Sequence, residues 1–261
     1  MNKLYIVGAG PGDPELLTIK GKKHIDTADI IIYAGSLVNP IVIESRKKTS
    51  KVYNSAHMTL EEVLDIIEDG IFKGFKVVRV HTGEPSIYGA IREQIDNLKL
   101  RGIETEVIPG ISCFQAAAAR LKKEFTLPDV SQSLIITRLE GRTPVPEKEK
   151  FVNLAKHQTS MAIFLSVHRI EDVVEELLKA YPEETKSAVI QRVTWENEIV
   201  VEGTLKDIAK KVKEAQINKT ALILVGNFLG DKYSYSKLYD KTFTHEFRKG
   251  QEDETSLHMR E

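Results

Sequence analysis

Short apolar runs alternate with longer amphipathic stretches through the first half of the chain. Apolar residues crowd positions 4–7, 29–33, 52–53, 76–81 and 105–108, which predicts strands. Between them, 15–27, 60–73 and 87–100 space Leu, Ile and Val at helical intervals. That alternation predicts an α/β domain built on a largely parallel sheet. Pro109-Gly110 breaks the last of these strands. The following stretch, 111–121, carries four consecutive alanines from Ala116 to Ala119 and predicts a closely packed helix.

A polar segment with a proline, 122–132, reads as a linker. Beyond it the pattern predicts strands at 133–138, 161–166, 188–193, 199–202 and 221–225, and helices at 147–157, 170–180 and 205–214. The stretch 193–199 reads as a hairpin, so this second sheet is expected to be mixed. The expected layout is an N-terminal α/β domain at 1–121, the linker, a C-terminal α/β domain at 133–230 and a polar tail at 231–261. No internal repeat interrupts it.

Composition narrows the class without naming a function. The 261 residues, 41% hydrophobic and 29% charged, are those of an ordinary globular protein. A formal net charge of −1 gives no general attraction for nucleic acid or membrane. No apolar stretch approaches the roughly 20 residues that span a bilayer. Because the chain enters a strand pattern at once, no signal peptide is expected, and the expected location is cytoplasmic. A single cysteine, Cys113, excludes an intrachain disulfide framework and a multi-cysteine metal site. Seven histidines are scattered without a metal-type pair, so no metal site is expected.

Four loops carry the candidate chemistry. Gly8-Ala9-Gly10-Pro11-Gly12-Asp13 follows the first strand like a dinucleotide fingerprint, yet its sixth position is Asp13 where a final glycine is required. Pro11 and Pro14 lack backbone donors, and Asp13 is placed to cap a helix starting near Pro14. A pyrophosphate cradle is therefore not expected. Thr82-Gly83-Glu84-Pro85-Ser86-Ile87-Tyr88-Gly89 lies at the carboxyl end of a strand, where open α/β sheets bind ligands. Glu84 there either accepts hydrogen bonds from a ligand or simply sits favourably near a helix N-terminus. Pro109-Gly110-Ile111-Ser112-Cys113 is a third strand–loop–helix junction, with Cys113 read as a small packed hydrophobe. Arg138, Glu140, Arg142 and Thr143 share a turn-rich loop that reads either as a solvated loop or as a clamp for an acidic ligand, since guanidinium forks pair with carboxylates. There is no P-loop lysine motif and no Gly-x-Ser-x-Gly elbow.

The order Gly8–Thr18, Tyr33, Thr82–Gly89, Pro109–Ser112 and Ala221–Gly226 resembles that of the tetrapyrrole methylases over about residues 3–230. The resemblance implies two α/β domains with the active site in the cleft between them, a homodimer, and S-adenosylmethionine as methyl donor, leaving S-adenosylhomocysteine. It implies donor contacts at Thr82, Gly83, Glu84, Ile87, Ser112, Cys113, Leu165, Arg192, Thr220 and Ala221. Pro11 belongs to the loop that the resemblance turns toward the macrocycle, its glycines letting the ring approach the backbone. Candidates for the acidic tetrapyrrole are Arg120, Arg138 and Arg142, with Glu140, Thr143, Ser36 and His57 as polar contacts. Tyr33–Val38, Asn54-Ser55-Ala56 and Thr126-Leu127-Pro128 resemble the branch that methylates C11 of a corrin precursor, with cobalt in the ring or without it. Two departures from family habit stand out: Glu84 replaces the usual aspartate, and Ala34 stands where uroporphyrinogen methylases carry an aspartate. Methylases of other acceptors, a non-catalytic S-adenosylmethionine-binding module and, weakest, a nicotinamide oxidoreductase are the rivals.

Overall fold

The computed structural model describes residues 2–251. Its first sheet contains β1 (Lys3–Gly8), β2 (Ile30–Tyr33), β3 (Lys51–Asn54), β4 (Val77–His81) and β5 (Glu104–Ile108). All are parallel, in the order β3-β2-β4-β1-β5. The chain runs leftward from β1 through β2 to β3, then returns to β4 and crosses β1 to reach β5. Connections thus diverge between β4 and β1, and a crevice opens outside their carboxyl ends.

Helices cover both faces of that sheet. α1 (Ile19–Asp26) carries buried Ile25 into a core with Val7, Ile31, Val78 and Val80. On the opposite face, α2 (Leu60–Phe72) and α3 (Ile91–Leu100) bury Leu64, Ile67 and Leu98 against Leu4, Ile6 and Ile32. α2 begins with a reciprocal capping box, in which Glu62 N–H donates to Thr59 Oγ1 and Thr59 N–H to Glu62 Oε2.

Two expected helices start late. The 15–27 stretch splits because Asp13 caps a single 3₁₀ turn, Pro14–Leu16, after which Leu17 is extended and Thr18 caps α1 afresh. The 87–100 stretch becomes helical only at Ile91, since Tyr88 and Ala90 hold left-handed φ of 55° and 49°. Helical periodicity continues through both interruptions, so spacing alone does not reveal them.

The second sheet is mixed. It contains β6 (Leu134–Arg138), β7 (Ser160–Phe164), β8 (Lys186–Gln191), β9 (Ile199–Thr204) and β10 (Ala221–Val225), ordered β6-β7-β10-β8-β9. Only β6 and β7 pair in parallel, and β8–β9 is the expected hairpin. α5 (Phe151–Ala155), α6 (Ile170–Leu178) and α7 (Ile208–Glu214) pack Phe151, Leu177 and Val212 on one face.

α4 (Cys113–Leu121) covers the other face, with Ala116 and Ala117 in one core with Ala162, Ala188, Leu222 and Leu224. The expected boundary at residue 121 therefore does not follow the packing: α4 sits on the second sheet, and the break between cores falls between Ile108 and Cys113. The alanines give α4 a low face that lies close against the strands. Beyond Gly230 the described part of the tail exposes Tyr235, Tyr239 and Phe247. Among the described residues, no helix is long and apolar enough to cross a membrane.

Candidate active site

Three loops leave the adjacent carboxyl ends of β4, β1 and β5, and their backbones touch. Ala9 N–H donates to His81 O at 2.7 Å, and Gly10 and Gly83 pair through an isolated antiparallel bridge. A Cβ on Gly8 would stand 2.6 Å from both Gly110 N and Gly83 O, so only glycine admits this approach. Gly8 makes room for the protein's own neighbouring loops, and Gly12 for the indole of Trp195.

Glu84 fastens this junction. Its carboxylate accepts from Ser86 N–H at 2.9 Å and from Gly110 N–H at 2.8 Å. Burial pushes the Glu84 pKa upward, but these backbone bonds outweigh it and hold the carboxyl below its ordinary value. Both oxygens are engaged by backbone within the chain, so the carboxylate acts as a brace between the β4 and β5 loops. Thr82, Gly83, Glu84, Ile87, Ser112 and Cys113 are thereby brought to one place. Ser112 is buried and heads α4. Burial pushes the Cys113 thiol up to about 11, so it stays protonated as an inert packed group.

The second sheet presents a matching edge. The carboxyl ends of β6, β7 and β8 and the start of β10 lie together, because β10 runs antiparallel to β7 and β8. Leu165, Arg192 and Thr220 occupy this edge with left-handed φ of 53°, 50° and 53°. Arg192 N–H donates to Thr220 O at 2.9 Å, and Ala221 pairs with Gln191. Leu165 is 60% exposed despite its apolar side chain. Strained backbone of this kind clusters at functional sites.

The two edges face each other across a cleft. The Tyr88 ring lies 5.4 Å from that of Phe164. Trp195 Nε1 donates to Pro11 O at 2.9 Å, and Asp13 N–H donates to Thr194 Oγ1 at 3.0 Å. Tyr88 and Trp195 were not among the expected site residues. The first lies within the Thr82–Gly89 motif, and the second is the chain's single tryptophan, set in a hairpin turn. Those two positions were the available signals.

A cavity of about 370 Å³ at the rim is lined by Arg138, Glu140, Arg142, Thr143, Leu165 and His168, among others. The arginines here differ in availability. Arg138 donates to the carbonyls of Leu139, Thr143 and Pro144, so it shapes its own loop. Arg120 pairs with Glu198 at 2.5 Å. Arg142 has no hydrogen-bond partner among the described residues and lies exposed on the cavity wall. Pro11 is buried, its carbonyl taken by Trp195. Ser36 and His57 lie on the turns Gly35–Leu37 and Ser55–His57, after β2 and β3, and His57 does not line this cavity.

The interdomain cleft, the three glycine-rich loops on one side and the strained turns on the other define a methylase of the tetrapyrrole type. Residues 3–209 match the Tetrapyrrole (Corrin/Porphyrin) Methylases, and the chain belongs to that family. Among its relatives, the cobalt-precorrin-4 C(11)-methyltransferase of Methanocaldococcus jannaschii is 61% identical over 95% of this chain and 96% of its own length. The precorrin-4 C(11)-methyltransferase of Pseudomonas aeruginosa is 43% identical over 95% of this chain and 99% of its own. The X-ray structure of a cobalamin biosynthetic enzyme, cobalt precorrin-4 methyltransferase, superposes with a TM-score of 0.86 at 45% identity, covering 88% of this chain and 96% of that one.

Proposed function

We propose that the protein transfers a methyl group from S-adenosylmethionine to C11 of cobalt-precorrin-4 in cobalamin biosynthesis. The observation that carries the reading is the 61% identity to the cobalt-precorrin-4 enzyme over nearly both full lengths. The 43% identity to the precorrin-4 enzyme is lower, which favours the cobalt-bearing ring as substrate.

The residues present fit the donor. Ile87 and exposed Leu165 offer apolar faces for an adenine, and the positive end of α4 at Ser112 suits the carboxylate of a methionyl group. S-adenosylmethionine supplies an electrophilic methyl for in-line displacement by a nucleophilic ring carbon. The protein's share is alignment, which can lower such a barrier by roughly 7–11 kcal/mol. A reduced tetrapyrrole is electron-rich, and attack at a substituted carbon creates a quaternary centre, so the proton that leaves comes from elsewhere on the ring. No side chain is assigned as base. Cys113, held protonated, does not compete with the ring for the methyl group. Arg142 receives a peripheral carboxylate of the macrocycle, while Arg138 holds the loop in shape. The protein works as a cytoplasmic homodimer. A sedimentation mass of twice the chain supports the dimer, and a mass of one chain counts against it.

Incubation with S-adenosylmethionine and either cobalt-precorrin-4 or metal-free precorrin-4, followed by mass spectrometry, tests the reaction. The expected result is a one-methyl gain that is faster on the cobalt form. No gain on either ring overturns the assignment, as does donor binding without turnover.

A further inference from the structure

Trp195 stands where the two halves of the cleft meet. Its indole N–H donates to Pro11 O at 2.9 Å, and its backbone N–H closes a turn on Arg192 O. The ring fills the space over Gly12, where any Cβ would overlap the indole. On the donor side, the Arg192 guanidinium lies 5.7 Å from the ring centroid. Arg192 is also bonded through its backbone to Thr220.

The neighbouring contacts continue the connection. Asp13 N–H donates to Thr194 Oγ1, Thr194 N–H to Glu198 Oε2, and Arg120 Nε to Glu198 Oε1. Asn39 Nδ2 holds Gly12 O from the first domain's side. The Pro11–Asp13 segment is thus held at Gly12 by its own domain and on either side by the second, at Pro11 by the indole and at Asp13 by Thr194. Being a proline, Pro11 offers an acceptor and no donor, so the indole N–H is chemically matched to it.

From this arrangement we infer that Trp195 is a positioning residue for methyl transfer, a latch that couples the donor-side turn Arg192–Thr220 to the Pro11–Asp13 loop and so sets the width of the cleft. The inference rests on the proposed methyl transfer for its kinetic consequence only. In-line displacement needs the reacting atoms about 3–3.5 Å apart, and a misplacement of about 1 Å costs on the order of a hundredfold in rate. A group that fixes the distance between the domains therefore acts on kcat. It leaves donor affinity nearly untouched, because the Arg192–Thr220 bond survives without the indole N–H.

The test uses the full chain. Trp195→Phe keeps an aromatic ring and removes the donor to Pro11. Its kcat is expected to fall by about ten- to a hundredfold, while the calorimetric Kd for S-adenosylhomocysteine stays within about twofold of wild type. In the wild type, Trp195 is the only tryptophan, so emission should change in step with the S-adenosylhomocysteine isotherm as the Arg192 guanidinium shifts over the ring. A Trp195→Phe kcat within about twofold of wild type overturns the latch, and so does flat emission across a measured isotherm. The emission arm needs no acceptor, so failure of the latch and failure of the proposed reaction are read separately.

Discussion

Glu84 and Arg142 show how one side chain acquires a role from its neighbours. In sequence Glu84 is a carboxylate in a ligand-binding loop. In the fold its longer side chain reaches Gly110 N–H while still accepting from Ser86 N–H, so it braces two loops. Arg142 takes the opposite path: of the three arginines expected to meet the substrate, it alone keeps its guanidinium free of hydrogen-bond partners among the described residues. Arg142→Ala is expected to raise the KM for the tetrapyrrole about five- to thirtyfold, the equivalent of roughly 1–2 kcal/mol for a charge-assisted bond. Calorimetry should find S-adenosylhomocysteine affinity unchanged. Equal losses on both sides would place Arg142 in the donor site instead.

At the scale of elements, two strained or crowded junctions carry the function. A Cβ on Gly110 would overlap Gly83 O and stand 2.9 Å from Gly8 Cα, with backbone on every side that cannot yield. Gly110→Ala should therefore lower stability by about 1–3 kcal/mol in urea unfolding. A smaller change than that range would show that the three loops part easily. Leu165 presents the converse case: it holds φ of 53° and is mostly exposed, so the fold gains little from keeping a side chain there. Leu165→Gly should raise stability by about 1 kcal/mol through released strain and weaken donor binding. If stability does not rise, the strain is not real; if donor affinity is intact, Leu165 is not a donor contact.

At the scale of the whole molecule, the buried polar groups behind the site make stability depend on pH. His81 ends β4, fully packed, with Nε2 unpartnered. Burial, together with the Arg79 charge, pushes its pKa from 6.5 down to about 3. Arg79 is itself buried, donating to Ile32 O and to Gln94. In the fold His81 stays neutral, whereas the unfolded chain binds a proton below about 6.5. The stability this group contributes is full above pH 6.5 and is lost progressively as pH falls toward 3. His24, also lowered by burial, adds to the same slope. Below pH 6 the His81 share approaches about 1.4 kcal/mol per pH unit. Urea midpoints between pH 7 and 5 should drop for the wild type and drop less for His81→Gln. Equal slopes would show that His81 is not the titrating group.

What the sequence by itself determined is whatever depends on local periodicity and composition. Strand positions, the largely parallel first sheet, the mixed second one and the Asp13 cap follow from residue spacing and turn chemistry within short windows. The order of motifs likewise identified the family, and the loops of Gly83-Glu84 and Gly110–Cys113 that it singled out touch in the fold. What only the tertiary structure decided depends on residues far apart in the chain. Ala116 and Ala117 look alike against either sheet, and only packing assigns α4 to the second. Gly8 and Gly12 signal a close approach, but the partners, Gly110 and Trp195, lie about a hundred or more positions away. A motif records that backbone must be approached closely; the identity of the approaching group is fixed only when distant parts of the chain pack together, within the first sheet for Gly8 and between the two sheets for Gly12.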